Sequence, residues 1–490
     1  MSFFRVRAGL DDGLTRRTVA VWRGARGTTI GDFPDNILLD IFDFCRISST
    51  LSENAYFVWE WNVLAHVCRY WRQVLFASPR RLGLQLRCTP VTPVREMLDI
   101  WPTLPIHIQK PAYLQFHPKA DYDNVIVALE HHDLVSVINI DALTRHQLGR
   151  VVAVMQKPFP ALTHLHLRST DEAAQALPDT FMGGSAPRLQ VLRLEGISFP
   201  LSPTELTTLN LYAIPSGGYI LPGEMVTFLS PFTRLEDLVV EFKSPSPPPD
   251  PASRLVTPSV RALLPTLNYF RFKGISEDLE DIAAQIDAPL LSNFAATIFN
   301  QAIFAIPLLS RFIQRTETLF SLDQVELSFD SRNVRIKFSH RDHDDHHLSL
   351  HVPCSPSDWQ LSSIVQLCGP PLLLPPSVER LDIYENTLSP QKWEYDIDQE
   401  QWLEILQLFT SVRELYVADT MWPLLAPTLQ QHTGENTLNV LPMLCDLFLE
   451  QSEPSGPFPE TIQPFVAARE LAGHPVVVHR QEGGDWRAIG

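Results

Sequence analysis

The chain has 490 residues and a formal charge of −17, so it is long enough for two to four domains and too acidic for a partner held by a basic footprint, nucleic acid above all. Apolar residues make up 45% and charged residues 19%, the balance of a folded protein and not of a disordered one. The longest uncharged apolar run, Phe294–Ser310, contains Asn300, Gln301 and Pro307 and is too short for a bilayer, so no membrane partner is expected.

Residues 1–29 are rich in Arg, with Asp11 and Asp12 as the acids. They lack the serine content and helical stripe of a mitochondrial presequence, and a disordered or poorly ordered leader is expected. Next, Ile37, Leu38, Ile41 and Phe42 recur at the spacing of one helical face. Asp32 stands at an N-cap position and Pro34 fits the first turn, where its missing N–H costs nothing. After an aromatic loop, Leu64, Val67, Cys68, Trp71 and Leu75 predict a second amphipathic helix. Two helices this short cannot bury both faces alone, so the pair packs on the next domain or awaits a partner. Cys45 and Cys68, on apolar faces beside aromatics, are expected to be buried and unreactive.

Residues 30–80 resemble the F-box, which reads apolar-Pro-acidic, two apolar residues, Ile-Phe, and later Val-Cys-basic-x-Trp. Here these are Phe33, Pro34, Asp35, Ile37, Leu38, Ile41 and Phe42, then Val67, Cys68, Arg69 and Trp71. Phe33 and Asp35 replace the usual Leu and Glu, and SSTLSENAYFVWEW lengthens the inter-helix loop. The resemblance implies docking on a Skp-type adaptor of a cullin ubiquitin ligase. These eleven residues and Leu64 are then the adaptor-binding set.

After residues 81–130, a linker with the first solenoid elements, an apolar-x-x-apolar-x-apolar triplet keeps returning through residues 131–458. Early copies are Val135/Ile138/Ile140, Leu162/Leu165/Leu167, Leu189/Leu192/Leu194, Leu206/Leu209/Leu211 and Leu235/Leu238/Val240. Later ones are Leu267/Phe270/Phe272, Leu322/Val325/Leu327, Val378/Leu381/Ile383, Val412/Leu415/Val417 and Leu444/Leu447/Leu449, with Leu291/Phe294 a degenerate copy. A triplet at such periods predicts leucine-rich-repeat-like strands whose alternate residues share one core. Asn is usual three residues after the triplet, but that place holds Thr170, Ile197, Ile214, Lys243, Ile275 and Thr420, and Asn386 alone conforms. The expected array is therefore irregular; a conventional α/β domain is the plainer alternative.

Asn333–Ser339 and Leu348–Val352 alternate apolar and polar residues and predict a hairpin inserted between repeats near 330–353, with HRDHDDHH as its turn. Residues 244–251 (SPSPPPDP) read as a surface loop. Residues 459–490 predict a capping helix stopped by Gly473, then the strand Val476–Val478 and a tail. DWQLSSIVQLC (358–368), SVERLDIYEN (377–386), QWLEILQLFTSVRELYV (401–417) and PFVAARELAGHPVVV (464–478) extend the resemblance to a large fungal group of F-box proteins with degenerate repeats. The fold class this implies is α/β, an N-terminal helical F-box followed by an irregular leucine-rich-repeat-like solenoid.

Catalytic signals are weak. His340, His343, His346 and His347, with Asp342, Asp344 and Asp345, are the most metal-like cluster, but a hairpin tip lacks the supporting shell that a site needs. His340-Arg341-Asp342 lacks the Asn, Gly-rich loop and Asp-Phe-Gly of a kinase, and no nucleophile elbow, P-loop or dinucleotide fingerprint occurs. Glu277-Asp278 and Glu280-Asp281 read as a solvated helix face. Trp393, Tyr395, Trp402, Tyr416 and Trp422 fit either an anchor patch or core packing. The six cysteines form no CxxC pair and no Asn-x-Ser/Thr sequon occurs, so reduced thiols and a cytoplasmic or nuclear address are expected. The resulting expectation is a non-enzymatic substrate receptor, with no cofactor, that joins an adaptor and cullin ligase to an unknown protein client. Two alternatives stand beside it: a repeat-type scaffold whose hairpin is a terminal cap, and a hydrolase using the His/Asp cluster.

Overall fold

In the computed structural model the described residues are 33–50, 62–78, 84–91, 93–100, 104–112, 122–171, 175–178, 180–198, 206–245, 261–299, 305–341, 346–354, 357–368, 378–385, 399–431, 440–450, 461–482 and 485–489. The chain divides into two compact units, residues 1–86 with 100–105 and residues 87–99 with 106–490. Among the described residues the first holds α1 (Asp35–Thr50), α2 (Asn62–Ala65) and α3 (Arg69–Ala77). β1 (Leu86–Cys88) and α4 (Val94–Ile100) lie at the division in the chain.

The second unit is mixed α/β around a large, mostly parallel sheet. It opens with β2 (Ile106–Lys110), α5 (Tyr122–Glu130), β3 (Val135–Leu143), α6 (Arg145–Val154), β4 (His164–Ser169), β5 (Gln175–Ala176), β6 (Val191–Glu195) and β7 (Ile197–Ser198). It continues through β8 (Thr208–Ile214), α7 (Pro222–Leu229), β9 (Asp237–Phe242), β10 (Ala262–Leu263), β11 (Tyr269–Gly274), α8 (Ser276–Gln285), β12 (Ile286–Asp287) and β13 (Asn293–Ile298). Then come α9 (Pro307–Arg315), α10 (Glu317–Phe320), β14 (Gln324–Asp330), β15 (Asn333–Ser339), β16 (His347–Pro353), α11 (Ser357–Cys368), β17 (Arg380–Glu385) and α12 (Gln399–Gln407). The last elements are β18 (Glu414–Ala418), α13 (Trp422–Gln431), β19 (Asp446–Glu450), α14 (Ile462–Leu471), β20 (Val477–Glu482) and β21 (Asp485–Ile489).

Every triplet places its last two residues on a strand, and the strands align them. Ile138, Leu165, Leu192, Leu209, Leu238, Phe270, Phe294 and Leu348 face one another strand by strand. A second column runs Ile140, Leu167, Leu194, Leu211, Val240, Phe272, Ala296 and Leu350, and both columns are buried. The degenerate copy at Leu291/Phe294 is thus a full one, completed by Ala296. A shared carbonyl ladder ties each strand entry to the last: Thr163 N–H donates to Ser136, Gln190 and Val191 to Thr163, and Thr207 and Thr208 to Gln190. Because strand side chains alternate, a one-residue slip would turn a whole column to the other face.

The place of the usual Asn is filled differently. Ile197 and Ile214 are buried there, and backbone groups bond directly between turns, Thr170 N–H to Leu143 O at 2.9 Å and Lys243 N–H to Ile214 O at 2.9 Å. Apolar packing plus backbone pairing replaces a side-chain ladder at these positions.

The hairpin of residues 333–353 lies within the sheet, not outside it. β15 pairs antiparallel with both β14 and β16, β16 pairs parallel with β13, and β14 pairs parallel with β17. Val334, Ile336 and Phe338 therefore extend the core, and the columns resume as Val325, Leu381, Leu415 and Leu447, and as Leu327, Ile383, Val417 and Leu449. The C-terminal tail is also ordered into the sheet, with β21 antiparallel to β20.

The acidic face expected on α8 is instead partly internal, with Asp278 2% and Glu280 8% exposed. Tyr219 Oη donates to Asp278 at 2.8 Å, while Leu308 and Leu309 N–H donate to Glu280 at 2.8 and 2.7 Å. Glu280 thereby satisfies two free amides at the start of α9, a use that helical periodicity cannot signal. Trp402 and Trp422 are buried, which assigns both to the core, whereas Tyr416 lies half-buried against Phe448 at 4.1 Å. Trp393 and Tyr395 fall outside the described residues, as do the Pro-rich stretch from Pro247 to Pro251 and Asn386.

Two outcomes follow from this packing. Phe294 sits between Phe270 and Phe312, with ring centroids 5.4 and 6.4 Å away, so Phe294→Ala should cost about 3–5 kcal/mol in chemical denaturation. Burial, and then Arg87 and His164, lower the His107 pKa from 6.5 to about 4. The folded protein holds this ring neutral, so its contribution is full above 6.5 and is lost as pH falls towards about 4; His107→Gln should flatten the pH dependence of Tm in that window.

Candidate docking surface on the helical unit

The start of α1 differs by two residues from the spacing expected. Pro34 O accepts from Ile37 and Leu38 N–H at 3.0 and 3.2 Å, so Pro34 takes the cap position, and Asp32 lies outside the described residues. Asp35 is then the first-turn acid, favourably placed at the positive end of the helix. The second helix is broken. α2 ends at Ala65, a turn follows, and α3 begins after Cys68, whose extended backbone and Sγ, 3.4 Å from Trp71 N, cap it. Cys68 is therefore exposed, which corrects the buried thiol expected, and the side chain of Cys45 is outside the described residues. Cys88, Cys354 and Cys368 are the buried thiols among the described residues, and burial raises the pKa of each, to about 12 for Cys88 and about 11 for Cys354.

The twelve motif residues sort by depth. Leu38, Phe42 and Trp71 are buried, with the Phe42 and Trp71 rings edge to face at 4.9 Å. Ile41 and Leu64 are half-buried. Phe33 and Ile37 are 38% and 39% exposed and Val67 is 54% exposed, while Pro34, Asp35, Cys68 and Arg69 are also at the surface. The single apolar face expected over Ile37–Phe42 is thus two faces. Leu38 and Phe42 turn inward with Leu39; Pro34, Ile37, Ile41 and Phe44, spaced three and four apart, form an outer stripe.

Tyr70 is the residue that motif reading missed. Its Oη donates to Asp35 Oδ1 at 2.6 Å and to Phe33 O at 3.0 Å, tying α3 to the entry of α1. The hydrogen bond to Asp35 raises the Tyr70 pKa, since ionisation would set two anions together. An aromatic between the motif's basic residue and Trp71 was visible in the sequence, but its partner was not. Arg72 Nε donates to Ala65 O at 2.8 Å and joins α3 to α2 in the same way. Phe44 and Val63, both exposed, add to the apolar surface.

The arrangement offers apolar side chains held in place by a small core. Asp342–Asp345 of the His/Asp run lie outside the described residues, and among those described no group of three or more His, Cys, Asp or Glu side chains is placed to hold a metal ion. Among them, too, no helix is long and apolar enough to cross a membrane. No protein-family model matches the chain, and no curated protein matches it.

The two layers predict opposite responses to substitution. Trp71→Ala should cost the helical unit about 3–5 kcal/mol through cavity formation. Ile37→Asp, at the surface, should cost below about 1 kcal/mol. Circular dichroism melts of the two variants compare them directly.

Proposed function

We propose that residues 30–80 are an F-box and that the chain is the substrate receptor of a Skp-cullin-F-box ubiquitin ligase. One observation carries the reading: within a single motif, Leu38, Phe42 and Trp71 build the core, while Phe33, Pro34, Ile37 and Val67 remain outside. A self-contained bundle would gain by burying the second set; an adaptor groove gives that set a use. Each large apolar side chain such a partner buries contributes about 1.5–3 kcal/mol before association costs. The matched surface is small and apolar, as interface cores are.

The second unit would then be an irregular leucine-rich-repeat-like solenoid that holds the client. Its in-register triplets and its helices, which touch one another in succession from α11 to α14, support that reading. Ubiquitin transfer would be performed by the cullin assembly's other subunits, with this chain supplying proximity and no catalytic residue or cofactor. Such a receptor works in the cytoplasm or nucleus. A scaffold whose helical unit is merely a cap is the competing account.

Co-expression with a Skp-type adaptor tests the proposal. The wild type should co-purify with the adaptor, and Pro34→Ala with Ile37→Asp should reduce recovery by at least about tenfold, since losing one or two hot-spot contacts costs 2 kcal/mol or more. Equal recovery of adaptor by both proteins refutes docking through this surface.

A further inference from the structure

The outward face of the sheet is polar along most of its length, but it dips where the hairpin is spliced in. There the outward positions on β13 are small: Ala295 faces Ser349 on β16, and Thr297 faces His351. Arg271 stands on one side, in register with Ala295, and Arg335 on the other, in register with His351. The result is a cavity of about 500 Å³ with guanidinium groups on both walls and tyrosines Tyr269 and Tyr384 at its margins.

The charges on those walls are unevenly satisfied. Asp330, the carboxylate lining the cavity, is occupied by Asn333 Nδ2 at 3.0 and 3.1 Å and by Arg332 N–H at 2.7 Å. Arg335 donates through Nε to Ser349 Oγ at 2.9 Å, and among the described residues no carboxylate bonds it. Arg271 meets Glu241 through Nε at 2.7 Å, which leaves its terminal nitrogens over. Burial lowers the His351 pKa, and then Arg335, Lys273 and Arg271 lower it further against Asp330, so three cations converge on one imidazole. In a chain of net charge −17 these cations have only partial partners, Glu241 for Arg271, Ser349 for Arg335 and the Phe299 ring for Lys273.

Tyr269 also lines a second cavity of about 770 Å³ at the entry ends of the same strands, beside Asn268 and Asn293. The two hollows together run along the strand direction from the level of Asn293 to that of Thr297, about 13 Å at 3.3 Å per residue. An isolated ion has no use for that length. An extended chain does, and a planar or tetrahedral oxyanion on it suits a cavity lined by Arg271 and Arg335.

We infer that this cavity binds an oxyanionic side chain, a carboxylate or a phosphate, carried on an extended peptide. The inference deepens the receptor reading by naming where a client is gripped, and it rests on that reading only for the peptide's identity as client.

The test uses the full chain and fluorescein-labelled degenerate peptides centred on glutamate, phosphoserine, glutamine or serine, read by anisotropy at low salt. Anionic centres should bind at least about tenfold more tightly than glutamine or serine, the worth of one charge-assisted pair. Arg271→Glu with Arg335→Glu should erase that preference, whereas Arg311→Glu, on the exposed side of α9, should keep it. If the reversed pair melts early, Arg271→Gln with Arg335→Gln should also erase the preference. Either anionic peptide winning supports the inference and identifies the oxyanion. Equal binding of charged and neutral centres, a preference that survives in the arginine pairs, or equally strong competition by a single-stranded oligonucleotide overturns it. Adaptor capture is scored on the same proteins: peptide preference without capture removes the ligase role and leaves the cavity's, and capture without preference does the reverse.

Discussion

Registration of two apolar columns is the constraint on which the rest of the second unit depends. Each parallel strand delivers its inward pair to the same level as its neighbours, from Ile138 and Ile140 through Phe294 and Ala296 to Leu348 and Leu350. The carbonyl ladder through Ser136, Thr163 and Gln190 sets that level before each strand begins. Once the inward pair is fixed, the residues between are turned to the other face of the sheet. Binding residues such as Arg271 and Arg335 occupy these positions. Loops and helices between strands can differ in length without disturbing the columns, because only the strand entries must match.

The helical unit follows a different rule. It is too small to hide all its apolar side chains, and so it sorts them. Phe42 and Trp71 close a core, Tyr70 and Arg72 lock the helices by bonding back to Asp35, Phe33 and Ala65, and the outer stripe is left presented on a firm base. A docking surface held this way loses little side-chain entropy on binding.

Much of this was legible in the amino-acid order. The triplets, both strands of the internal hairpin and the presence of α1, though not its cap at Pro34, follow from period-two and helical spacing, which report where apolar residues must go. What escaped has a common cause: it depends on partners distant in sequence. Spacing alone puts Ile37, Leu38, Ile41 and Phe42 on one broad face, and only the direction of α3 decides that Leu38 and Phe42 turn in. The break at Val67–Cys68 arises from a cap by a thiol, a residue type that does not signal helix starts. The hairpin strands alternate equally well outside a sheet or inside one, so their placement between β13 and β14 needed the fold. Asp278 and Glu280 look solvated until Tyr219 and the start of α9 are seen against them.

Phe33, Ile37 and Val67 are exposed apolar side chains, and their proposed use is to meet another polypeptide. Hydroxyl-radical footprinting of the full chain, alone and with a purified Skp-type adaptor, reads those side chains one by one. The account expects oxidation of Phe33, Ile37 and Val67 to fall sharply when the adaptor is added, with Phe448 and Tyr416 on the sheet unchanged. Identical labelling of all five with and without the adaptor contradicts it.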